Sequence, residues 1–307
     1  MPRSFELQGH RGARGLYPEN TLAGFAATLA LGVDSIELDV ALTADGVAVV
    51  SHDLALHPDL TRGPDGAWIT PPGAPIRSLT LAELGRYDVG RLRPGSKYAR
   101  QFAEQAPQDG ARIPTLAEIF SLTLPAGVRV SAEVKVAGHR PEDAIPATAA
   151  IIAAAGAAGA LASLDIRSFD WSPLKHLRRH RPEVPLTWLS SGHPDPAAVA
   201  AAAGDGPPIA WKPTWAPAHA DLTQALLAEA HALGLAVSPW TVNEPAEMAR
   251  LIGWGVDGLC TDYPDRARSA MSAAGLPLPP PRQRVGRKFA VAEARETSSC
   301  SSGSSCP

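Results

Sequence analysis

Two carboxylates, Glu37 and Asp39, stand two residues apart in the run SIELDV. Side chains alternate across a strand, so both acids face one side, while Ile36, Leu38 and Val40 face the other and can pack against helices. Adjacent carboxylates repel unless a cation compensates them. A hard divalent cation with oxygen ligands is the natural one. The bland alternative is an edge strand with its acids in solvent. A second run, VSAEVKVAG, repeats the pattern with Glu133 and Lys135 on one face. Glu133 could complete a three-carboxylate site, and Lys135 could neutralise it or hold a phosphate. Taken alone, this second pair reads equally well as a simple ion pair.

A histidine returns to the same place. Ala44-Asp45-Gly46 is a hairpin turn signal followed by VAVVSHD. Folding the chain back about residue 45 sets residue 52 opposite residue 38, which puts His52 beside Glu37 and Asp39. A register slip of one residue would send it to the other face. His52 could act as a general acid, a general base or a ligand; the plainer reading is a polar residue ending a strand. Near the N-terminus, GHRGARGLYPENT ends a short apolar strand with His10 and Arg11, followed by Glu19 and Asn20 at a helix start. Arginine offers a planar fork of donors suited to phosphate oxygens, and Gly12 and Gly15 let the backbone turn tightly. The same PEN segment also reads as ordinary helix-start punctuation.

The elements that must hold these residues alternate. Strand-like runs fall at 5–9, 35–40, 129–135, 161–166, 186–189, 209–212, 236–240 and 258–261. Helical segments fall near 19–31, 115–123, 142–156, 172–181, 195–203, 219–233, 244–253 and 264–273. Eight strands with intervening helices predict a (β/α)8 barrel, whose C-terminal strand ends gather at one mouth. The barrel is expected over residues 1–275. A Pro- and Gly-rich stretch at about 54–113, helical only near 79–87, reads as an insertion at that mouth. Residues 276–307 are Pro-rich, then basic, then Ser-rich, and are expected to form a disordered tail.

Composition narrows the classes. The 307 residues are 45% hydrophobic, enough for a full-sized core, and the net charge of −3 comes without a basic stripe for nucleic acid. No apolar run reaches the ~18 residues of a membrane span, and the N-terminus shows no signal-like apolar core. The three cysteines, two of them in the tail, form no disulfide framework. A cytoplasmic enzyme without a stable membrane anchor is the expectation. Oligomeric state leaves no readable trace.

Together these pieces resemble the glycerophosphodiester phosphodiesterase family. The matching motifs are HRG at 10–12, PENT at 18–21, ELD at 37–39, DG and HD at 45–46 and 52–53, and EVK at 133–135, extending to SPWTVNE at 238–244 and DGLCTDYPD at 257–265. Each is weak alone, but five in this order are specific. The resemblance implies a TIM-type barrel with a small insertion after HD. It also implies metal-dependent hydrolysis of glycerophosphodiesters to sn-glycerol 3-phosphate and an alcohol, the diester being the small-molecule partner. Carried over residue by residue, Glu37, Asp39 and Glu133 would bind one divalent cation, Mg²⁺ or Ca²⁺. His10 and His52 would be the general acid–base pair, Arg11 and Lys135 would bind phosphate, and Glu19 would shape the site.

Three tryptophans, Trp188, Trp211 and Trp240, fall in late strands. Trp240 is the one expected to line a substrate pocket, with Phe169 a lesser candidate. Cys260 reads as a small buried hydrophobe. Two rival functions use the same barrel. A lysophospholipase D or sphingomyelinase-type enzyme should show an apolar rim, and the polar, Pro-rich insertion argues weakly against one. A non-catalytic barrel that binds a phosphorylated ligand would not need two inward acids beside two histidines.

Overall fold

The computed structural model describes residues 5–135, 141–193, 195–204 and 212–282. Eight parallel strands form the barrel: β1 (Glu6–His10), β2 (Ser35–Leu42), β4 (Arg129–Val134), β5 (Leu164–Ser168), β6 (Leu186–Ser190), β7 (Thr214–Pro217), β8 (Ala236–Val237) and β9 (Gly258–Thr261). Their order is β8-β7-β6-β5-β4-β2-β1-β9. The two ends of this order meet through Asp257 N donating to Val237 O at 2.8 Å and Cys260 N to Pro239 O at 3.1 Å. The short strand β3 (Ala48–Val50) pairs antiparallel with β2, Val40 facing Val50. Extending that register puts residue 52 opposite residue 38, as the hairpin turn predicts.

Outward-facing Leu7, Ile36, Leu38, Val130, Ala132, Ile166 and Trp188 belong to one continuous apolar core between strands and helices. The inner face is polar. Asp39 pairs with Glu133 and Glu133 with Arg167, while His10 pairs with Glu37 and Glu37 with Ser131. The parallel register therefore stacks the chemically active residues in two layers near the C-terminal end of the barrel. Helix α1 (Leu22–Leu31) begins one turn later than predicted, where the Thr21 side chain accepts a bond from Gly24 N. That cap leaves Glu19 and Asn20 in the loop beside the mouth.

Several boundaries move. The predicted strand at 161–166 is β5 at Leu164–Ser168, preceded by a 3-10 turn at Leu161–Ser163. The shift carries Arg167 onto the inner face. The strand predicted at 209–212 is β7 at Thr214–Pro217, and positions 209–211, with Trp211, lie outside the described residues. The helix predicted at 219–233 splits into a 3-10 turn at His219–Asp221 and a helix at Gln224–Ala232 capped by Thr223. The last strand before the closing one shrinks to Ala236–Val237, and Trp240 makes only an isolated bridge to Ala218.

The insertion holds short helices at Leu81–Leu84 and Lys97–Gln101, the second of them not foreseen. It has a small core of its own, in which Leu56, Ile76, Leu84 and Ile113 pack on Ala41 and Val49 of the hairpin. Residues 276–282, assigned to the tail by composition, are among the described residues and make ordered contacts. Arg268 donates to Pro279 O at 2.5 Å, and Arg282 N donates to Leu29 O at 2.9 Å, so residues 276–282 lie against the barrel. The Ser-rich end, with Cys300 and Cys306, lies outside the described residues.

Candidate active site

The chain turns sharply at the end of β1. Arg11, Gly12 and Ala13 all take positive φ, at 50°, 73° and 56°. Two non-glycine residues in the left-handed region are a local strain that the surrounding contacts must hold. Arg11 N donates to Glu37 O at 3.0 Å and Asn20 N to Arg11 O at 2.9 Å, pinning the loop on both sides. Gly15 is needed for a different reason from the one expected: a Cβ there would come within 2.4 Å of the Tyr263 ring.

This loop delivers His10 and Arg11 into a cavity of about 260 Å³ shared with Glu37, His52, Glu133, Lys135 and Trp240. Glu37, Asp39 and Glu133 present carboxylate oxygens within 4.8 Å of one another. Asp39 is buried, paired with Arg11 Nε at 3.1 Å and Lys135 Nζ at 3.0 Å. Lys135 also pairs with Glu133 at 2.7 Å. Burial alone would raise the Asp39 carboxyl, but Arg11 and Lys135 hold it far below the usual range. Glu37 shows the opposite balance. Burial and the neighbouring Asp39 push it up to about 8. Among the described residues no arginine or lysine side chain lies within ion-pair distance of it. Its Oε2 accepts only from Arg11 N at 3.3 Å and lies 3.7 Å from His10 Nε2. Burial likewise raises Glu133 despite Lys135.

The donor set fits a hard divalent cation. It is all oxygen and all carboxylate, the three groups converge, and one of them has no compensating cation of its own. Asp39 Oδ1 is buried, and its one cationic partner, Lys135 Nζ at 3.0 Å, is not aligned as a hydrogen bond.

His10 has a partner that sequence reasoning did not single out. Its Nδ1 lies 2.6 Å from Asp262 Oδ1, at the end of β9. Burial would raise Asp262, yet His10 and Arg14 keep it well below the ordinary carboxylate range. Arg14 grips both its oxygens at 3.0 Å, and Asn243 Nδ2 adds a bond at 2.8 Å. Burial drives the His10 imidazole down to about 4, against the pull of Asp262. A neutral imidazole bonded to an ionised acid carries its proton on Nδ1, which leaves the Nε2 lone pair facing the mouth. An acid at the end of a barrel strand was the signal available in the sequence for Asp262.

His52 is more open. Its Nδ1 bonds Asp53 Oδ1 at 2.7 Å, and that bond lowers the Asp53 carboxyl. Glu19 stands behind Arg11, at 3.2 Å from its guanidinium, and accepts a short bond from Tyr98 OH of the insertion. It does not line the mouth itself. Trp240 does, with its Nε1 bonded to Ala216 O at 3.0 Å and its ring edge-on to Phe169 at 5.1 Å. Phe169 is 44% exposed, so the lesser candidate stands at the entrance. Trp188 faces away from the mouth, packed edge-on against Trp171 at 5.5 Å. Cys260 is buried as expected, but it lines the mouth from the inner face. Arg167, absent from the expected site, lies beneath the carboxylates with NH2 bonded to Gln8 at 2.8 Å.

The chain matches known proteins. The model of the glycerophosphoryl diester phosphodiesterase family covers residues 10–266. The chain belongs to this family. A glycerophosphodiester phosphodiesterase of Caldanaerobacter subterraneus subsp. tengcongensis is 30% identical over 83% of this chain and 93% of its own. One from Bacillus subtilis is 30% identical over 83% of each. A solved structure from Silicibacter pomeroyi is 38% identical, with a TM-score of 0.82 over 90% of this chain and 96% of that one. As a member of the glycerophosphoryl diester phosphodiesterase family, the protein is a hydrolase of glycerophosphodiesters on a TIM-type barrel. Its carboxylate cluster is compatible with the divalent metal on which the family depends.

Proposed function

We propose that this mouth cleaves simple glycerophosphodiesters, such as glycerophosphocholine, to sn-glycerol 3-phosphate and an alcohol, with one Mg²⁺ or Ca²⁺ held by Glu37, Asp39 and Glu133. The observation that carries the reading is the convergence of these three carboxylates beside two histidines and two cations. When bound, the metal supplies charge neutralisation at the phosphoryl oxygens. Arg11 and Lys135 bind the remaining phosphate charge, since a diester anion otherwise repels any nucleophile. His10, neutral with Nε2 free, takes the proton of the attacking hydroxyl. Its Nδ1–H stays on Asp262, which holds the ring in orientation and stabilises the imidazolium as it forms. His52, tied to Asp53, protonates the departing alkoxide. Each such proton transfer contributes roughly 10²–10⁴ in rate.

Trp240 and Phe169 wall the entrance against the organic part of the substrate, and Glu19 acts by holding Arg11. The catalytic unit takes in residues 1–275, with the insertion reaching the site through Tyr98, which holds Glu19, and it acts in the cytoplasm. No helix among the described residues is long and apolar enough to cross a membrane. The test is purified protein with glycerophosphocholine, coupled to detection of glycerol 3-phosphate, for wild type, His10→Ala and His52→Ala. Release by wild type and loss in both variants are expected. Absence of glycerol 3-phosphate from any simple glycerophosphodiester would overturn the reading.

A further inference from the structure

The insertion meets the loop after β1 at one phenol. Tyr98 stands on the short helix Lys97–Gln101, whose start is capped by Ser96 Oγ accepting from Ala99 N at 3.0 Å. Its ring lies 5.7 Å from His57 and 5.2 Å from Phe102. Its hydroxyl reaches two residues of the active-site loop. It donates a short bond to Glu19 Oε2 and accepts from Arg14 Nη1 at 3.1 Å. The chemistry of the groups fixes these roles: a guanidinium only donates, an ionised carboxylate only accepts, and a phenol has one proton. Burial and the neighbouring Glu19 raise the Tyr98 phenol above its ordinary value, so that proton stays in place at neutral pH.

Each of the two loop residues leads on to a group of the mouth. Glu19 Oε1 accepts from Arg11 Nη1 at 3.2 Å, and Arg11 Nε pairs with Asp39 at 3.1 Å. Arg14 grips both oxygens of Asp262, the partner of His10. The two branches are not held equally. Arg14 keeps Nε and Nη2 on Asp262 at 3.0 Å whether or not the phenol is present. Among the described residues, the Glu19 side chain has only Arg11 and Tyr98 as hydrogen-bond partners. Without the phenol, Glu19 would be fixed only by the residue it has to fix. The Arg11 and Glu19 side chains are 9% and 8% exposed, so bulk water is poorly placed to replace the lost bond. We propose that Tyr98 is a positioning residue for phosphate binding: it sets Glu19, and Glu19 sets the Arg11 guanidinium. The inference rests on the phosphate role given to Arg11 above and adds a determinant of it that the insertion supplies.

The experiment measures choline release from glycerophosphocholine, with Mg²⁺ present, for wild type, Tyr98→Phe, Glu19→Ala, the double variant and Gln105→Ala. KM, kcat and the competitive inhibition constant of added sn-glycerol 3-phosphate are read. Phenylalanine keeps the ring contacts with His57 and Phe102, and cooperative thermal melting reports the fold. Gln105 Nε2 donates to Arg14 O at 2.8 Å, so its variant loosens the insertion from the same loop without touching the phenol. Tyr98→Phe should raise KM and the inhibition constant together by roughly tenfold, the scale of one hydrogen bond to a charged group. The change in kcat should be smaller, because a phosphate contact is lost from ground and transition states alike. In the Glu19→Ala background the same substitution should add little, and Gln105→Ala should leave both constants near wild type. Wild-type constants in Tyr98→Phe, an undiminished penalty on top of Glu19→Ala, or an equal rise in Gln105→Ala would each overturn the assignment and leave the catalytic reading standing. No choline release by wild type would overturn the catalytic reading itself.

Discussion

Protonating His10 means creating a charge in a buried site next to Arg11 and Arg14, and Asp262 is the main group that favours it. The linkage has a definite sign. A histidine of unfolded pKa ~6.5 that falls to about 4 when folded contributes stability that is fully present above pH ~6.5. That contribution is lost as the pH falls through about 4, because the unfolded chain binds the proton first. Metal-free protein should therefore lose on the order of 3 kcal/mol between those limits. Urea titrations of wild type and His10→Gln at several pH values check this, and a pH slope equal in the two would refute it. The same protonation removes the base, so kcat/KM should fall as the pH is lowered. Asp262→Ala should lower kcat by roughly 10²–10⁴ with KM nearly unchanged, as expected for a group that orients a base. Asp262→Asn, whose amide oxygen can still accept from Nδ1, should recover part of the loss. Equal rates in the two variants would assign Asp262 a structural role only.

At the scale of elements, the loop after β1 is held by close packing as much as by glycine conformation. Gly15→Val would drive a side chain into the Tyr263 ring, which neighbours Asp262. Overpacking of this kind costs about 1–3 kcal/mol, and here it should also lower kcat by moving the partner of His10. Thermal unfolding and turnover of the variant measure both effects, and unchanged values would show that the ring swings aside freely. This scale also explains what the sequence did and did not disclose. Strict alternation in SIELDV and in VSAEVKV assigned faces correctly, because one side of each strand is wholly apolar. The hairpin register followed from Asp45-Gly46, and with it the position of His52. Arg167 and Asp262 were missed for opposite reasons. A 3-10 turn absorbed the start of the predicted fourth strand, and the strand runs on to Ser168, which places Arg167 on the inner face. Asp262 sits one residue past a strand end, where alternation carries no information and only the closing of the barrel brings β9 beside β1.

On the scale of the whole molecule, barrel closure assembles the site. His10 and Asp262 are 252 positions apart and meet across the β1–β9 seam. Stability at the N-terminal end should depend on residues 276–282, which tie Arg268 and Leu29 together. A chain ending at 282 should unfold like the full protein. One ending at 276 should melt lower by several degrees, at about 2–4 °C per kcal/mol lost, with activity at low temperature retained. Equal melting of the two would show that this segment rests on the barrel without supporting it.

The most direct test of the account is glycerophosphocholine turnover in excess chelator, followed by return of Mg²⁺ or Ca²⁺. Three converging carboxylates, one of them without an ion-pair partner of its own, predict that glycerol 3-phosphate release falls to background and is restored by the cation. Full turnover in the presence of the chelator would contradict it.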